Sequence, residues 1–161
     1  MTGVQTCALP ICFPVTIRGV KGFFESAKAR GVDEIGISEH THGFKEFKEL
    51  YYKDLILDNS FVGENQAIWL KTNKFKNTID EYETFINMLK SKGYPVKMGI
   101  EVCNFQDQKS VKEILAKHNF DYIIGSIHFV EGWAYDTSSI KKEWDNSVCI
   151  VTGKQIGRAH V

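Results

Sequence analysis

The sequence has no apolar run long enough to cross a bilayer, which takes about 20 residues. It has no surplus of either charge, since 20 Lys and Arg stand against 20 Asp and Glu. That balance gives no reason to expect nucleic acid or another polyanion as a partner. Cysteine is scarce, with four in 161 residues and no C-x-x-C pair, so neither a disulfide framework nor a thiolate metal clip is indicated. Three prolines leave no Pro-rich linker. There is no Gly-rich phosphate loop, internal repeat or low-complexity tract. What is present is ordinary globular composition, 43% hydrophobic and 25% charged. A reducing, cytoplasmic setting, a small-molecule partner and no membrane are the expectations.

The two ends differ in character from the middle. Read back into codons, Met1 to Ile11 and Ile156 to Val161 resemble one short-read sequencing adapter in its two orientations. Met1 to Ile11 does not read as a secretory leader. It has no basic start, and its short apolar stretch is broken by Pro10 and closed by Pro14. The expected organisation is therefore an adapter-like artefact over 1–11, a partial domain over 12–146, and an uncertain tail over 147–161 that ends in adapter-like sequence. His160 falls in that tail, which leaves four histidines for chemistry.

The middle alternates helical and strand periods. Val20, Phe23, Phe24 and Ala27 share one helical face, and Gly31 stops that helix. Asp33 to Ser38 reads as a strand ending at Glu39-His40. The stretch from Thr41 to Lys76 is aromatic and weakly periodic, and predicts an excursion with one or two short helices. Thr78-x-x-Glu81 is a capping box, followed by an apolar face of Ile79, Tyr82, Ile86 and Leu89, with Gly93 as the stop. Val96 to Ile100 is a strand ending at Glu101. Ser110-x-x-Glu113 predicts a second capping box, with Val111, Ile114, Leu115 and His118 on the helical face. Asp121 to Ile127 is a third strand ending at His128. Helices between short buried strands predict an α/β class with a parallel sheet or barrel.

Three strands thus end in three possible metal donors, His40, Glu101 and His128. In parallel α/β folds the carboxyl ends of strands face the site. Imidazole with carboxylate suits zinc, iron or manganese. Taken singly, each has a plainer reading: a His capping a turn, or a Glu exposed to solvent. The coincidence of three is the signal. His42 reads as a ligand, a substrate contact or a solvated loop residue, the last two favoured. His118 is expected to be structural, at a helix end where its charge suits the dipole. Cys103 is expected to be an inert small residue.

Ile37-Ser38-Glu39-His40, Gly99-Ile100-Glu101-Val102, Ile124-Gly125-Ser126-Ile127-His128-Phe129 and then Gly132-Trp133-Ala134-Tyr135-Asp136 resemble motifs of the PHP phosphoesterase family. The closest branch is the PHP-type histidinol-phosphate phosphatases, whose patterns read S-[DE]-H, G-[IL]-E, G-S-[VI]-H and G-W-x-[FY]-D. The resemblance runs from about Val15 to Asn146. It implies a distorted (β/α)7, TIM-like barrel that holds up to three divalent metals and hydrolyses phosphomonoesters by attack of a metal-bound hydroxide. It implies that His40 and His128 are metal ligands and that Glu101 bridges two metals. Glu39 stands where the family often has Asp, a carboxylate that orients a ligand rather than binding metal. Trp133 and Asp136 would lie on the substrate side; their plainer readings are a packed aromatic and a turn carboxylate.

The sequence also departs from the family. The H-x-H motif of the first strand has no counterpart between Thr6 and Arg18, and the later His and D-x-H motif are missing. The expectation is an incomplete barrel, without its first and last strands, in an inactive piece of a histidinol-phosphatase. The alternatives are a PHP enzyme acting on another phosphomonoester or a nucleic-acid end, and a non-enzymatic α/β binding module.

Overall fold

A computed structural model describes residues 5–6, 17–72 and 74–135. Asp136, Cys12 and residues 147–161 lie outside that range. The described chain is mixed α/β. In order it forms β1 (Gln5–Thr6), α1 (Ile17–Ala29), β2 (Ile35–His40), two 3-10 turns (Thr41–Gly43 and Lys45–Phe47), α2 (Lys48–Asp54), α3 (Phe61–Lys71), α4 (Ile79–Ser91), β3 (Val96–Cys103), α5 (Gln108–Leu115) and β4 (Tyr122–Ser126). The strands form one parallel sheet in the order β1-β2-β3-β4. No strand was expected before Asp33. The structure places a two-residue stub there, Gln5 against Ile35 and Thr6 against Gly36.

The helix that sequence reads best is α4. Thr78 Oγ1 accepts from Glu81 N at 3.2 Å, and Thr78 N donates to the Glu81 carboxylate at 2.7 Å, which completes the capping box. Ile79, Tyr82, Ile86 and Leu89 are all buried and join Ile37, Met98, Ile100 and Val102 in one core. Tyr82 reaches the sheet and donates to Ile37 O at 2.8 Å and Gly99 O at 3.0 Å. Gly93 closes the turn after the helix with φ +81°.

Three expectations need correction. The cap of α5 is Asp107, not Ser110. The Asp107 carboxylate accepts from Ser110 N at 3.1 Å and Ser110 Oγ at 3.0 Å, so the helix begins two residues ahead of Ser110. Those bonds, with Lys53 nearby, hold the Asp107 carboxyl below its ordinary range. β3 does not stop at Glu101 but pairs through to Cys103. β4 ends at Ser126, two residues short of His128.

Register decides what shares a face. His40 lies opposite Glu101, and Ser38 opposite Gly99, which in turn pairs with Tyr122. Side chains alternate across a strand, so Ser38, His40, Glu101 and Cys103 belong to one face. The Tyr122 ring crosses that face, and a Cβ at Gly36 or Gly99 would collide with it. Ser38 Oγ donates to Tyr122 Oη at 2.8 Å. This layer sits two residues below the His40–Glu101 pair and forms its floor.

Candidate metal centre

Above the floor, Glu101 is flanked by two imidazoles. Its Oε1 lies 2.8 Å from His128 Nε2 and its Oε2 lies 3.6 Å from His40 Nε2. All three side chains are largely buried, and one donor atom from each lies within 4.8 Å of the others. The His128 hydrogen bond, helped by the nearby His40 and opposed by burial, holds the Glu101 carboxyl below its ordinary value. The three expected donors therefore converge although they do not occupy equivalent strand ends. β3 overshoots the site and the chain after β4 turns back into it.

The donor set fits a divalent ion. Ligand atoms about 2 Å from a tetrahedral metal stand roughly 3.4 Å from one another. One donor atom from each residue lies within 4.8 Å of the other two, a spread that a small shift of the side chains brings to that spacing. A carboxylate that turns one oxygen to each imidazole is also the form a bridging ligand takes.

The excursion from Thr41 to Lys76 builds the wall of this site. His42 stacks on His40 at 5.1 Å and meets the edge of Trp69 at 5.5 Å. Together with Tyr51, Lys74 and His128 these rings line a cavity of about 200 Å³. His42 is thus part of the wall of the site rather than an open loop. Trp69 and Lys74 escaped the sequence reading. Their only signal was the aromatic density of that weakly periodic segment.

Gln66 anchors the wall. It is fully buried, and its amide donates to Ile56 O at 2.7 Å and Gly132 O at 3.0 Å while accepting from Ala134 N at 2.5 Å. That amide ties α3 to the Gly132–Tyr135 segment. Glu131 and Gly132 both have positive φ and form the tight turn that pairs Val130 with Trp133. Trp133 packs against Tyr135 at 6.3 Å, and its neighbour Ala134 is the residue that lines the cavity.

Glu39 lies across the sheet from these groups, since alternation along β2 turns it away from His40. It is 8% exposed, and its Oε1 meets no hydrogen-bond donor among the described residues. Burial pushes its carboxyl up to about 8. Cys103 is buried, with its thiol 2.9 Å from Tyr51 Oη and 3.5 Å from Thr41 Oγ1. His118 lies beyond the end of α5, 3.2 Å from Glu83.

Among the described residues, no helix is long and apolar enough to cross a membrane. Compared with known proteins, residues 16–153 match the family model described as PHP domain. That match continues past Asn146, where the motif resemblance stops. No curated protein matches the chain.

Proposed function

Because the chain belongs to the PHP domain family, we propose that its site is a metal-dependent phosphomonoester hydrolase centre whose substrate is L-histidinol phosphate. The observation that carries the reading is the convergence of His40, Glu101 and His128 at the base of a cavity. A divalent ion bound there would polarise a phosphoryl oxygen and lower the pKa of a coordinated water. His40 and His128 would hold it through Nε2, and Glu101 through one or both oxygens. The imidazole neighbours hold the Glu101 carboxyl below its ordinary value, and a metal would take the place of the proton that His128 Nε2 and Glu101 Oε1 share.

The chain's own residues then position substrate. His42, Tyr51 and Trp69 present ring faces and edges to the cavity, a surface suited to a leaving alcohol that carries a flat heteroaromatic ring, as histidinol carries its imidazole. The Gln66 amide keeps that wall in place. Three donors fit one ion, so the chain is expected to take up a single metal, loosely, and to show little or no phosphate release. The cytoplasm is the compartment that suits such a reaction.

Metal-loaded protein tests this directly. Inductively coupled plasma analysis should find about one zinc, iron or manganese per chain. L-Histidinol phosphate should bind more tightly than phenyl phosphate or a 5′-phosphorylated oligonucleotide. Equal affinity for all three would remove the histidinol assignment and leave a general phosphoesterase. Two or three tightly held metals with rapid turnover would overturn the single-ion expectation. No metal uptake at all would remove the hydrolase reading.

A further inference from the structure

Phe75 and Asn77, ahead of α4, are tied to the two 3-10 turns by backbone hydrogen bonds. Phe75 N donates to His42 O at 2.8 Å, Asn77 N to Gly43 O at 3.2 Å, and Lys45 N to Asn77 O at 2.9 Å. Phe75 also has φ +52°, a left-handed conformation that bulky side chains avoid. Its buried ring, 5.5 Å from Tyr51, and its bond to His42 hold the backbone in that state. The residue that this arrangement carries to the cavity is Lys74. Its Nζ lies 4.6 Å from the centroid of the Trp69 ring, on the wall that also includes His40 and His128.

Among the described residues that line the cavity, Lys74 is the permanent cation. A phosphomonoester carries close to two negative charges at neutral pH, more than one carboxylate-balanced metal offsets. A cation–π contact with an indole is weaker than a charge-assisted hydrogen bond to phosphate. An arriving phosphoryl group would therefore offer the ammonium a stronger contact than the indole gives.

We propose that Lys74 is the phosphate-binding cation of this site, set beside the strained Phe75 and against the Trp69 ring. The inference rests on the proposed phosphoesterase function and extends it to the substrate's charged end. Lys74 acts here in binding and positioning. It moves no proton and breaks no bond.

The test titrates inorganic phosphate into the full chain, with and without zinc, and follows heat and tryptophan emission. Lys74→Met should weaken phosphate binding by about tenfold or more, the weight of one charged hydrogen bond. Lys74→Arg, which keeps the charge, should restore most of it. Phosphate should change the emission of the parent protein, and that change should vanish in Trp69→Phe and in Lys74→Met. Zinc content, measured on the same samples, should be unaltered by the Lys74 variants. Normal zinc content with phosphate affinity indifferent to Lys74→Met would overturn the role of Lys74 and leave the metal reading standing. Absent zinc with phosphate affinity still lost in Lys74→Met would do the reverse. A parent protein that binds no phosphate in either form would also overturn the proposal.

Discussion

Two clusters in this molecule each gather three potential metal donors within 4.8 Å, His40–Glu101–His128 and Asp80–Glu83–His118. Their composition is similar and their construction is opposite. In the first, a carboxylate sits between two imidazoles and turns a different oxygen to each. In the second, one imidazole nitrogen, His118 Nδ1, faces two carboxylates at 3.2 and 3.6 Å. The first arrangement leaves two imidazole nitrogens and a carboxylate to share a cation. The second offers a single imidazole nitrogen, already taken up by two carboxylates. The first draws on β2, β3 and the turn after β4, and opens on a cavity. The second spans one turn of α4 and the chain after α5, with Asp80 85% exposed. What sets the first cluster apart is the convergence of separate strands beside a cavity.

The strongest way to break this comparison is to remove one carboxylate from each cluster. Glu101→Gln should lower zinc affinity by about a hundredfold or more, at least the cost of losing an outer partner. Glu83→Gln should leave it unchanged. Competition with a chromophoric chelator measures both, and equal losses would erase the distinction.

The next largest effect should come from the wall that only the first cluster has. Gln66→Leu strands Ile56 O, Gly132 O and Ala134 N, and should cost about 3 kcal/mol or more in denaturant unfolding. A loss below about 1 kcal/mol would mean that the wall is held some other way.

Glu39 sharpens the comparison from the far side of β2. Its carboxyl ionises at its ordinary value of 4.5 in the unfolded chain and at about 8 in the fold. Between those values the folded state binds more protons, so stability falls as pH rises from 4.5 and levels off above about 8. Glu39→Gln removes that slope. The variant should gain on the parent by about 4 kcal/mol at pH 8 and by almost nothing near pH 4, as thermal melts would show. Parallel melting curves across that range would contradict the buried, unpaired carboxylate.

The smallest effect belongs to the second cluster. Asp80 is exposed, so Asp80→Asn should change stability by less than about 0.5 kcal/mol, with or without zinc. Zinc-dependent stabilisation that disappears in this variant would make the second cluster a metal site after all.

Much of the fold was legible because its signals are local. The capping box at Thr78 and Glu81 and the four-residue apolar face of α4 are set by neighbours within a turn or two. The three donors were legible because each follows a short apolar run of sequence. The second capping box failed for an equally local reason. Ser110 is followed by a Glu three residues on, but Asp107 offers two acceptor oxygens and captures both the N–H and the hydroxyl of Ser110. The short strand stub at Gln5–Thr6 carried no periodic signal at all.

The sequence by itself determined the α/β class and the helix-bearing stretches, and singled out His40, Glu101 and His128 as candidate donors. Period, capping and turn chemistry act over a few residues and can be read along the chain. Tertiary structure decided that Glu39 faces away from its neighbour His40, that Trp69 and Lys74 wall the cavity, and that Gln66 holds the wall. Those outcomes depend on strand register and on contacts between residues up to 68 positions apart, as between Gln66 and Ala134. Backbone pairing between distant segments is fixed by the packing of the whole core, and no local stretch of sequence encodes it.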